Sequence, residues 1–224
     1  MTFNWLMFCP ALLLLFLPLE ILIRKNIRLK ELAHIDFGDP SIRQRAPWRF
    51  WMVWVDGLRS FFGAFLLCSA WTIDPMAAEL HYVPMVSALL VLALSLAVQM
   101  HTRRSDGHFW APVLYIVGVW LALVSWPLVL VAVAAGAVCM VAFRSLTAFF
   151  FFGSAMMAIF GVVVLHAGVW AMIAAILGLQ PCLLSLVSGR LLSVPVRIAL
   201  VKERSRDLPK VRTLRVDEAV EVEV

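Results

Sequence analysis

Apolar residues run along this chain in long blocks, parted by short polar stretches. The first block, Phe3 to Ile23, reaches the ~20 residues that a bilayer crossing needs. Positive charge follows it at Arg24, Lys25, Arg28 and Lys30 rather than preceding it, and no small-residue cleavage site comes after. That is the reverse of a secretory signal, so a retained helix with its N-terminus outside is expected. Blocks at 48–71 and 82–100 follow. From Phe109 to Phe143 no residue is charged. One helix over that block would be about 50 Å long at about 1.5 Å per residue, too long for a hydrocarbon layer of about 30 Å. Two crossings, 109–126 and 127–143, with a turn at Trp126-Pro127, fit better. The same reasoning divides the last block near His166 into 147–166 and 169–189, leaving 190–224 as a tail, basic and then acidic. The fold expected is all-α, a single transmembrane bundle of seven spans with the C-terminus inside.

Charge supports this topology. The segments expected inside hold every Lys and Arg except Arg59 within the second span and Arg49 at that span's inner end, and the segments expected outside hold none. This is the bias that sets orientation in membranes, and it points to a bacterial inner membrane. Composition agrees: 63% of the chain is hydrophobic and 15% charged, against about 45–50% and about 25% in soluble domains. The net charge of +5 therefore reads as membrane topology and not as a nucleic-acid footprint. Arg24, Lys25, Arg28 and Lys30, and Arg204 and Arg206 in the tail, are placed to meet anionic lipid. Between the first two spans, Asn26 is positioned to cap a short surface helix with Ile27, Leu32 and Ile35 on one side. In the tail, Val216 to Val224 alternates apolar and acidic residues, a period that suits a strand.

The span at 48–71 differs from the others in carrying ions of both signs. On a helix, Arg49, Met52, Asp56, Arg59, Ser60 and Gly63 fall on one stripe, and Trp51, Trp54, Leu58, Phe62 and Phe65 on the opposite side. Asp56 and Arg59 are three apart, close enough to pair along one face. Ionisable residues inside a span are costly and mark candidate sites. Further candidates are His166 at the end of the sixth span and Gln180-Pro181 midway along the seventh. There proline is expected to kink the helix and free a carbonyl, as in transporter sites. Small residues four apart, Ala132/Gly136, Ser154/Ala158, Ala171/Ala175 and Ala174/Gly178, are spaced for close helix packing. Gly63 joins them from the charged stripe.

Val55-Asp56-Gly57-Leu58-Arg59 resembles the Asp-Gly-Leu-Arg signature in the first helix of membrane acyltransferases of the acyltransferase-3 type. Those proteins are larger, with about ten spans, and carry a His about three turns further on. That region here is Cys68-Ser69-Ala70-Trp71, without a His, and the resemblance covers five residues of 224. It implies a relative of those enzymes as a third reading. No nucleophile–base pair, phosphate loop or metal-ligand spacing is legible, so no catalytic residue, metal or cofactor is assigned. The leading expectation is a non-enzymatic accessory or assembly subunit, with lipid and other membrane subunits, or further copies of itself, as partners. The alternative is a small-solute or ion transporter built on Asp56, Arg59, Gln180 and Pro181.

Overall fold

The computed structural model of the protein describes residues 2–17, 27–35, 42–45, 51–72, 82–101, 107–164 and 168–200. A short strand β1 (Thr2–Phe3) leads into helix α1 (Trp5–Phe16), which begins where the Asn4 side chain accepts the N–H of Leu6 at 3.0 Å. Helix α1 is shorter than the expected span because Pro18 comes next in sequence. A proline forces the residue before it out of the helical region, and Leu17 indeed sits at φ −59°, ψ 118°. After β2 (Ile27–Lys30), a 3-10 turn (Leu32–His34) and β3 (Ile42–Arg45) come α2 (Trp51–Ser69), β4 (Trp71–Thr72) and α3 (Tyr82–His101). Then follow β5 (His108–Trp110), α4 (Val113–Leu123), α5 (Trp126–Phe143), α6 (Leu146–Ala158), α7 (Gly168–Ser188) and β6 (Leu191–Leu200). Helix α6 continues as a π-helix over Ile159–Val164.

Among the described residues, four helices are long and apolar enough to cross a membrane: α3, α5, α7 and Leu146–Val163 of α6 with its extension. The apolar helices α1 and α4 are shorter. The main packing partners are α5 with α6, α2 with α4, α1 with α2, and α6 with α7. Trp120 of α4 holds the centre. It is fully buried, stands in contact distance of Gly153 and Gly178, and donates its indole N–H to the Ala174 carbonyl at 2.8 Å. A partner for the indole N–H is what allows a tryptophan to be buried completely.

The all-α expectation overlooked a sheet. At one end of the bundle β6 pairs antiparallel with β2 and β3 and parallel with β5. Ile27–Lys30 is therefore a strand, not the start of the Asn26-capped surface helix. The first ten residues after Arg190 are likewise a strand, not free tail. Each of these segments is short, and a two-stranded pair alone is marginal in water. Only the return of β6 from the far end of the chain supplies their partner. Among the described residues, Pro195 inside β6 has Leu29 of β2 as its strand neighbour. A proline, with no N–H to give, is tolerated where one edge of a strand is unpaired. At the opposite end Thr2–Phe3 pairs with Trp71–Thr72.

One turn moves. The turn expected at Trp126-Pro127 falls at Val124–Ser125, and Pro127 opens α5, the position where proline costs a helix nothing. Helix α7 carries Pro181 within its length, Gly168–Ser188. Hydrogen bonds to neighbouring helices flank the proline: Gln180 Nε2 to the Ala93 carbonyl of α3 at 2.8 Å, and Cys182 Sγ to the Thr147 carbonyl of α6 at 3.2 Å.

Candidate functional site

The broken end of α1 is where the polar side chains of the bundle gather. A helix leaves its last carbonyls without intrahelical partners, and here Pro18 ends α1 inside the fold. The Leu15 and Leu17 carbonyls are met instead by side chains from three other helices. Gln99 of α3 gives its amide N–H groups to Leu15 at 3.0 Å and to Leu17 at 3.1 Å. Arg59 of α2 donates Nη1 to the Leu17 carbonyl. The Tyr115 hydroxyl of α4 lies 3.4 Å from the Leu15 carbonyl and 2.8 Å from Ser95 Oγ of α3.

Arg59 joins this cluster to Asp56. Its Nη2 donates to Asp56 Oδ1 at 2.6 Å, and the residues are 7% and 4% exposed. The guanidinium also stands 5.7 Å from the centroid of the Tyr115 ring, within cation–π range. A cation at the C-terminal end of α1 matches the negative end of that helix's dipole, and Asp56 neutralises it. Two ions in an apolar interior are sustained only by such mutual pairing and added hydrogen bonds.

Close approach of α2 and α4 brings Tyr115 to Arg59. A Cβ on Gly118 would collide with the Gly57 carbonyl and Ser60 Oγ, and one on Gly57 would lie 3.2 Å from the Leu114 carbonyl. Ser60 turns its hydroxyl onto its own helix, to the Gly57 carbonyl at 2.9 Å. The two backbones therefore touch, and Tyr115, almost one turn before Gly118, falls beside Arg59.

The other residues singled out in the sequence lie elsewhere. Gln180 and Pro181 belong to the contact of α7 with α3 and α6, and the hydrogen bond of Gln180 to Ala93 does not lead to the ion pair. His166, Arg24, Lys25, Arg204 and Arg206 lie outside the described residues, as does Val216–Val224. Arg28 and Lys30 sit in β2. The small residues are all at internal helix contacts. Gly63 faces Leu15, Gly136 faces Phe149, Gly178 faces Ser154 and Trp120, and Ala171 faces Gly161. Ala132 and Ala175 are buried and Ala158 is half-buried against the same core. Among the described residues no three His, Cys, Asp or Glu side chains assemble as a metal site.

Sequence reading had not included Gln99, Tyr115 and Ser95 in the site. The available signal was polarity within apolar blocks: Tyr115 is the sole tyrosine between Phe109 and Phe143, and Gln99 lies near the end of its own block. Comparison with known protein families, with characterised proteins and with solved structures returns no match, so the chain's own residues carry the functional argument.

Proposed function

We propose that this chain is a non-enzymatic accessory or assembly subunit of a larger complex in a bacterial inner membrane. In this reading all seven helices cross, with the N-terminus outside and the C-terminus inside. The observation that carries it is that both terminal nitrogens of Arg59 are engaged within the fold, on Asp56 and on the Leu17 carbonyl. The pair acts as a clamp on the end of α1, which is a structural task. The short connections and the basic inner segments add to this support. The exposed face of α2, with Trp51, Trp54, Leu58, Phe62 and Phe65, is the surface offered to lipid or to a neighbouring subunit.

The test is extraction in a mild detergent, followed by mass determination and identification of what co-purifies. A stoichiometric membrane partner is expected. A clean monomer or homo-oligomer would instead favour a small-solute or ion transporter, a reading supported by Asp56 lining a cavity. Uptake by vesicles carrying the wild type, set against an Asp56→Asn variant, would then decide.

A further inference from the structure

A cavity of about 170 Å³ opens beside the ion pair. Its walls come from parts of the chain far apart in sequence, among them Val53 and Asp56 of α2, Trp110 of β5, Val113 of α4, Leu146 of α6 and Val194 of β6. It lies where the sheet meets the helix ends. Asp56 is five residues into α2, about 8 Å along at about 1.5 Å per residue. In a bilayer that is the depth at which the polar part of a lipid gives way to hydrocarbon.

We propose that this cavity binds an uncharged membrane amphiphile, its hydrocarbon chain against the apolar walls and its hydroxyl donating to Asp56. Three observations support the assignment. The walls are apolar apart from Asp56, among the described residues. An apolar cavity of about 150 Å³ is large enough to take up a hydrocarbon of benzene size. Asp56 gives Oδ1 to Arg59, and among the described residues Oδ2 remains as an acceptor. The carboxylate and guanidinium cancel each other's charge. An ammonium head would therefore leave a net positive charge in an apolar wall, and a phosphate would meet the carboxylate; both are costly in a low dielectric. A hydroxyl adds a donor without adding charge. Helices long and apolar enough to span a bilayer place the cavity where such molecules are found. This inference does not depend on the accessory-subunit reading.

The test uses the full chain in phosphatidylcholine vesicles with a photoreactive dodecanol carrying a diazirine in its chain. Labelled peptides are mapped by mass spectrometry. The expected result is labelling of peptides that contain Val53–Asp56 and Trp110–Val113, suppressed at least fivefold by excess unlabelled dodecanol. Labelling of lipid-facing helices should not saturate in this way. Val53→Phe and Val113→Phe, both at half-buried positions, should fill the cavity and lower the labelling by a similar factor with unchanged elution in size exclusion. Competition needs no variant, so it reports even if neither substitution folds. Label that never saturates at the cavity, or that persists in a folded filled variant, would overturn the site. Equal or stronger labelling by the dodecylammonium analogue would overturn the hydroxyl assignment.

Discussion

Arg59 does two jobs at once, and that makes its substitution informative. Arg59→Met leaves Asp56 buried without its partner and the Leu17 carbonyl short of a donor. Removing one member of a buried pair costs about 3–5 kcal/mol, so a large fall in the thermal midpoint in detergent is expected, read by fluorescence-detected size exclusion. Exchange of the pair, Asp56→Arg with Arg59→Asp, separates the two jobs. It restores opposite charges three apart but places the donor a turn away from Leu17. Recovery of part of the lost midpoint is the expected outcome, whereas full recovery would mean that the carbonyl cap contributes nothing. The pair was legible in the sequence because two ions stand out in an apolar block. Its partners were not. The Leu15 and Leu17 carbonyls are backbone atoms that every residue owns, and nothing in the order of residues says which carbonyls a fold leaves open.

At the scale of elements, backbone contact between α2 and α4 is what positions the cluster. Gly118→Ala should be among the most damaging methyl additions in the chain, because the new Cβ meets a backbone carbonyl that cannot turn aside. Gly153→Ala provides the comparison. Its Cβ would lie 3.1 Å from Trp120 and 3.2 Å from the Ala132 carbonyl, tight but open to small adjustments. A folded yield lost for Gly118→Ala and largely kept for Gly153→Ala is expected. The reverse order would place the critical helix contact at α6 instead. The apolar blocks led to the helices because a length near a bilayer's thickness and a run of apolar residues are local properties. The strands were missed for the opposite reason: β2 and β6 are separated by most of the chain, and a strand exists only through its partner. The bonds that Gln180 and Cys182 make to α3 and α6 on either side of Pro181 were missed for the same reason, since their partners lie on other helices.

For the whole molecule, the arrangement of helix ends yields a topology that can be measured. In a background without native cysteines, single cysteines at Thr72 and Ser125 should react with a membrane-impermeant maleimide from outside. Those at Arg144 and Arg190 should react only after the inner face is exposed. All four positions are exposed in the fold. Labelling of 125 and 144 from the same side would remove α5 as a crossing and with it the count of seven. The sequence by itself determined that this is a helical membrane-type chain, where its helices fall, and which two ions stand inside them. Length, hydropathy and charge are sums over neighbouring residues, so they survive without a fold. Only the tertiary structure decided that the end of α1 is clamped by Arg59, Gln99 and Tyr115. It alone gathers distant strands into a sheet and leaves a cavity beside Asp56. Each of these depends on groups brought together across many residues, where proximity in space is set by packing and not by order along the chain.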